Sequence, residues 1–520
     1  MGETSRLLTI AATGLALVVP ATPSLAVQSS PAEASYQEIA LDGPSVQAET
    51  KPFAVVGITW PEGAEQVAAK VRVQRDGAWT DWQPLQVEDD HGPDPATPEG
   101  IERAGTDPLW VGDSTAVEAS AVTSSGTTID GAKVVLIQPG VLATDADEPP
   151  AASAIGPEAT RAPYPLPLMV SRRRWGADER LRSHNGTACA RPKYTTTVQA
   201  AFVHHTADRN DYTRAQVPAM VRAMYTYHVK SRGWCDLGYN FLVDRFGRAF
   251  EGRYGGAQLP VLGAHTGSYN ANSFGVAVIG NFEKAAPPPA MLETTARVIA
   301  WKMDANYRSP LATIVLDGSR LHTVSGHRDT KATACPGKQL YNKLGWLKQR
   351  INALIGGSVS TPIYRFARTI GFRTLGQPFW GEHRTKTGWA TYFATRDVFY
   401  SVATGTHSTV GVFRARYRQL GPDTVLGLPT GEHRPGRVRG VELQSFRNGA
   451  LYWSKAIGTR PVAGLIYRRY AALGADRSRL GLPVTDMYTV KGGLRQKYQR
   501  GWLTYNQHRN KVYIQYGRAS

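Results

Sequence analysis

Short apolar runs broken by Gly, Pro and Asp clusters fill residues 36–140. Ala54–Thr59, Val71–Gln74, Trp79–Trp82 and Lys133–Gln138 are rich in β-formers, and their spacing predicts a small all-β sandwich. The period changes after residue 164. Val217, Met220, Val221, Met224 and His228 fall on one helical stripe. Leu292, Ala296, Ile299 and Met303 mark a second helix, entered through Pro287-Pro288-Pro289, and Leu340, Leu344, Leu347, Ile351 and Leu354 a third. Ala200–His204, Tyr239–Val243 and Gly275–Ile279 read as strands between these helices, with a hairpin over Arg245-Phe246-Gly247. A central α/β domain, a mixed sheet flanked by helices, accounts for both periods.

The last part of the chain repeats. Leu375-Gly376-Gln377-Pro378, Leu426-Gly427-Leu428-Pro429 and Leu480-Gly481-Leu482-Pro483 recur 51 and 54 residues apart. Each follows an aromatic (Phe366, Tyr417, Tyr470) and precedes another (Phe393, Phe446, Tyr498) that leads into a short strand. A period near fifty implies stacked units or a propeller-like closure, β-rich in either case. The expected organisation of this multidomain chain is therefore a signal peptide (1–26), the β-sandwich-like domain (36–140), an Ala-, Pro- and acid-rich linker (141–163), the α/β domain (164–356) and three repeats (357–520).

Charge separates the same parts. Residues 1–160 carry 7 Lys and Arg against 23 Asp and Glu, whereas 161–350 carry 27 against 12 and 351–520 carry 26 against 7. The net +18 is thus a sum over one acidic and two basic modules. Leu7–Val19 is too short to span a bilayer, follows Arg6 and leads to Ser24-Leu25-Ala26, the pattern of a secretory signal peptide. No second segment is long enough to span. Export argues against nucleic acid as the partner of the basic modules, and no nucleic-acid motif is present. Three cysteines, Cys189, Cys235 and Cys335, are too few for a disulfide scaffold and divide as a pair plus one.

The acidic domain shows no catalytic grouping; Trp60, Trp79, Trp82 and Trp110 there read as core or turn residues ahead of a sugar-stacking patch. In the α/β domain, Phe202-Val203-His204-His205-Thr206 ends an apolar strand on histidine. Ser325-Gly326-His327-Arg328-Asp329 and Ala334-Cys335-Pro336-Gly337 place a second histidine and a cysteine eight residues apart. Two imidazoles and a thiolate suit a tetrahedral Zn2+ with a fourth position open to water. Such an ion lowers the pKa of bound water from about 16 to about 7.

Residues 204–212 (HHTADRNDY), 233–256 (GWCDLGYNFLVDRFGRAFEGRYGG), 263–282 (GAHTGSYNANSFGVAVIGNF) and 326–337 (GHRDTKATACPG) closely resemble the peptidoglycan recognition protein and type 2 N-acetylmuramoyl-L-alanine amidase family. The resemblance runs from about Val170 to Leu354. It implies zinc ligation by His204, His327 and Cys335, catalytic assistance from Tyr239, and a contact of Thr333 with the substrate carbonyl or its oxyanion. Some relatives carry lysine where Thr333 stands, which gives stronger electrostatic help. His205, on the opposite side of the strand from His204, belongs to the core or supports the ligands. His228 is packed core or groove wall, His265 and Asn270 line the substrate groove, and Arg253 either meets stem-peptide carboxylates or makes a structural ion pair. Cysteines in similar relatives imply a Cys189–Cys235 disulfide, leaving Cys335 for the metal. The repeats resemble LGFP repeats of actinobacterial cell-wall proteins, which implies attachment to anionic wall polymers.

The resulting expectation is a secreted, cell-wall-associated zinc amidase that hydrolyses the lactyl-L-alanine amide of peptidoglycan. The alternative is a non-catalytic protein that binds muramyl peptides, although such members typically lack the zinc cysteine.

Overall fold

The computed structural model describes residues 33–517 apart from residues 65, 88–90, 95, 96, 98, 100–102, 147–162, 358 and 359. The expected signal peptide lies outside the described residues. In the N-terminal domain all strand pairs are antiparallel and form one eight-stranded array. Its spine is two long strands, Ser45–Trp60 and Leu109–Thr123. Register shifts between Glu49 and Val55 bend the first of these, and bulges of this kind let an array curl around its own core. Phe53, Val56, Ile58, Val71, Val73, Val117, Val134 and Leu136 fill that core. Trp79–Trp82, read above as one strand, is instead split: Ala78–Trp79 and Gln83–Leu85 pair separately with Val67–Arg75. Trp60 and Trp110 are buried, while the half-buried Trp79 and Trp82 stand beside Arg72 and Lys70.

The central domain is a six-stranded mixed sheet. Ala200–His205 lies next to the edge strand Val324–Gly326, parallel to it on one side and to Ser273–Val278 on the other. Phe241–Val243 and its hairpin partner Ala249–Glu251 extend the sheet. The helices Pro289–Ala305 and Leu344–Leu354 cover one face over Ala201, Val203, Phe274, Val276 and Val278. The third predicted helix is broken: Lys338–Tyr341 forms one turn, and a bend at Asn342 and Lys343 precedes Leu344. Leu340 and Leu344 both reach the core on either side of this bend.

Helix Val217–Thr226 covers the other face and runs into a π-helical turn, Tyr227–Ser231. Its apolar stripe also meets the N-terminal domain, because Val217, Met220, Val221 and Met224 share one buried cluster with Val55, Trp110 and Ile137. Polar contacts pin the same junction. Tyr227 Oη donates to Thr106 O at 2.8 Å, Trp110 N donates to Asp208 Oδ1 at 2.9 Å, and buried Arg222 holds Asp145 with two hydrogen bonds of 2.7 Å.

In the C-terminal region each unit consists of a helix, the Leu-Gly-x-Pro turn and a four-stranded antiparallel meander. The helices are Pro362–Ile370, Gly411–Leu420 and Gly464–Ala472. Successive units share their cores: Phe413, Leu428 and Phe446 pack with Ala390 and Phe399 of the first, and Tyr470, Leu482 and Tyr498 with Val462 and Tyr452 of the second. Stacking is therefore the arrangement. Tyr307 of the central domain joins the first unit, donating to Glu382 Oε2 at 2.7 Å.

Candidate functional site

The carboxyl end of Ala200–His205 and the residue following Val324–Gly326 are adjacent because those strands are parallel neighbours. Side chains at such strand ends project into the crevice beyond the sheet, where ligands of α/β folds commonly bind. His204 is the penultimate residue of the first strand and His327 opens a turn after the second. The loop that follows returns Cys335 to the same point: its Sγ is 3.7 Å from His204 Nδ1, and the His204 and His327 ring centres are 4.8 Å apart. All three residues are completely buried. Tetrahedral zinc with ordinary bond lengths separates an imidazole nitrogen from a thiolate sulfur by about 3.6 Å, so this donor pair fits the ion.

Burial, followed by the neighbouring His327, holds His204 well below the ordinary histidine pKa, so its ring is neutral and able to bind a metal. A ligand at Nδ1 requires the proton on Nε2, and His265 Nδ1 stands 3.1 Å from that nitrogen to accept it. His265 is itself kept neutral by burial and oriented by Asn270, whose Oδ1 accepts from His265 N and Thr266 N at 2.7 and 3.0 Å. His205 faces the other way, as the two-residue period requires; its Nδ1 accepts from Phe282 N, and burial lowers its pKa to about 3.

Tyr239 is buried beside the cluster, its ring centre 5.4 Å from that of His204. Thr333, half-buried, accepts the amide hydrogen of Cys335 at 3.1 Å and so braces the loop carrying the thiol. His228 lies on the π-helical turn, stacked 4.4 Å from Trp234, with its Nδ1 accepting from Gly238 N; it is wall, one ring away from the cluster. Cys189 and Cys235 form a disulfide in which Cys335 takes no part.

The acidic domain, where no catalytic grouping was expected, adds one residue to this cluster. His91, the single histidine preceding His184, enters the cluster from the N-terminal domain. Its Nε2 is 3.2 Å from His204 Nδ1 and its ring centre 4.3 Å from that of His327. Donor atoms of His91, His204, His327 and Cys335 all lie within 4.8 Å of one another, so the fourth position, expected open, faces an imidazole. Arg253 is likewise engaged by the same domain: it forms a buried ion pair with Glu99. A lone histidine in a Gly- and Pro-rich stretch carries no local signature, which is why the sequence did not reveal it.

The fold is that of an amidase-type α/β domain between two β-rich modules. Residues 194–338 match the N-acetylmuramoyl-L-alanine amidase family, residues 18–154 a family described as Rv3811 N-terminal galactose-binding domain-like, and residues 426–478 the LGFP repeat. The chain is 35% identical over 147 residues to peptidoglycan-recognition protein SC1a of Drosophila melanogaster, covering 28% of this chain and 72% of that protein. It is 33% identical over 174 residues to peptidoglycan recognition protein 1 of Bos taurus, covering 33% and 80%. Among solved structures, Drosophila PGRP-LB is 27% identical over 34% of this chain and 92% of that one, with a TM-score of 0.28. The chain belongs to the peptidoglycan recognition protein and N-acetylmuramoyl-L-alanine amidase family, joined here to a galactose-binding-like β domain and LGFP repeats.

Proposed function

We propose that this protein is an exported zinc-dependent N-acetylmuramoyl-L-alanine amidase that cleaves the amide between the lactyl group of muramic acid and L-alanine in peptidoglycan. The observation that carries this reading is the convergence of buried His204, His327 and Cys335 beside Tyr239. Zinc, when held by these three residues, supplies Lewis acidity toward the amide carbonyl and toward water. The chain supplies the rest. His265 holds the proton of His204 on Nε2, Tyr239 offers one phenolic hydrogen to the oxygen on which charge develops, and Thr333 fixes the loop that presents Cys335. His228, Asn270 and Arg253 form the groove, and the Arg253 fork suits a stem-peptide carboxylate. The LGFP repeats, with their excess of Lys and Arg, hold the enzyme to anionic wall polymers.

The test is digestion of purified peptidoglycan by the wild type, by Cys335→Ala and by chelator-treated protein. New L-alanine amino termini without new reducing sugars are expected from the metal-loaded wild type alone. Equal release in all three samples would refute the zinc mechanism, and binding without release in every sample would identify a recognition protein instead.

A further inference from the structure

His91, Asp94 and Glu99 lie in one excursion of the N-terminal domain, closed at its base by the bridge between Val87 and Thr106. Each touches a different part of the groove described above. His91 meets the metal ligands. Asn270 Nδ2 donates to Gly92 O at 2.8 Å and to Asp94 Oδ1 at 2.9 Å. Glu99 pairs with Arg253 and accepts from Cys235 N at 2.9 Å, both charged groups being buried. Three independent anchors thus place His91, Asp94 and Glu99 where a muramyl peptide would have to lie, with a carboxylate on the arginine that suits a substrate carboxylate.

The spacing at the cluster is that of a ligand set. Two imidazole nitrogens on one tetrahedral zinc stand about 3.3 Å apart; His91 Nε2 and His204 Nδ1 are separated by 3.2 Å. Four protein donors close a zinc site, whereas catalysis requires one position for water or substrate. We infer that His91 is a fourth protein ligand to the metal and that, with Glu99 in the place of a substrate carboxylate, it holds the enzyme latent until the two side chains are displaced. The latent role rests on the amidase reading; the ligand role does not.

The experiment uses the full chain loaded with zinc or cobalt. X-ray absorption should count three imidazoles and one sulfur in the wild type, and two imidazoles, one sulfur and an added oxygen in His91→Ala, with thermal unfolding confirming that the variant is folded. Glu99→Gln, which leaves every metal donor in place, should tighten binding of a muramyl tripeptide, measured by calorimetry. His91→Ala should raise kcat/KM on soluble muropeptide by about tenfold or more, since apparent affinity is reduced in proportion as the binding-competent state, with the fourth position open, is rare. Two imidazoles in both proteins would overturn the ligand assignment, and unchanged binding together with unchanged kcat/KM would overturn latency. Loss of one imidazole in His91→Ala without hydrolysis by any variant would uphold the ligand and defeat the amidase reading instead.

Discussion

Gly275 leaves no space for a side chain: a Cβ there would lie 2.6 Å from Cγ of the His265 ring. That ring accepts the Nε2 proton of His204, so crowding at Gly275 acts on the metal site through a histidine that binds no metal itself. Gly275→Ala should displace His265 and weaken zinc affinity about 10- to 100-fold, the usual effect of losing a ligand's outer partner. Competition with a chromophoric chelator measures this, and unchanged affinity would show that His265 orients nothing. The strand period gave His204 and His205 opposite faces, as the structure has them, because alternation is a local property of extended backbone. The acceptor for His204 could not be read that way: His265 lies 61 residues downstream and meets it only through the pairing of two strands.

At the scale of the element, the Leu-Gly-x-Pro motif is a joint. Gly376, Gly427 and Gly481 have φ of 73°, 68° and 71°, a region that disfavours any side chain. The proline that follows each pairs with a downstream aromatic: Pro378 with Phe393, Pro429 with Phe446 and Pro483 with Tyr498. The helix aromatic closes the unit. Tyr417 stacks 4.7 Å from Phe446 and donates to Gly427 O at 2.7 Å, while Tyr470 repeats this with Tyr498 and Gly481 O. Tyr417 Oη also accepts from Asp423 N at 2.8 Å, so Tyr417→Phe leaves two buried backbone groups without a partner. A loss of about 1–3 kcal/mol is expected, measured by denaturant unfolding. Because the repeats share cores pairwise, it should fall on the second unit and its neighbours, with the N-terminal domain unaffected in hydrogen exchange. Spacing revealed the repeat and its aromatics; that Tyr417 and Tyr470 hold the motif glycine's carbonyl is a contact across ten and eleven residues which periodicity does not encode.

For the whole molecule, an acidic domain packs against a basic one, and basic repeats join the latter through Tyr307 and Glu382. If the repeats hold the enzyme on anionic wall polymers, retention on purified walls should fall steeply as salt rises from about 0.05 to about 0.5 M, where screening shortens to a few ångströms. Hydrolysis of soluble muropeptide by the same samples should change little. Parallel loss of both would place the charge dependence in the groove rather than in the repeats.

The amino-acid sequence alone determined three kinds of region, the repeat and its joint residues, and His204, His327 and Cys335 as a donor set, because each is written in local period, spacing or motif. It also determined Cys189 and Cys235 as partners through resemblance. Only the tertiary structure decided that His91 and Glu99 stand in the groove. Their partners His204 and Arg253 lie 113 and 154 residues away in another domain. What brings them there is the docking of the stripe on Val217–Thr226 against Val55, Trp110 and Ile137. Burial of that stripe is legible from its period, but the surface that covers it is not, since an apolar face specifies that it must be buried and not by which partner.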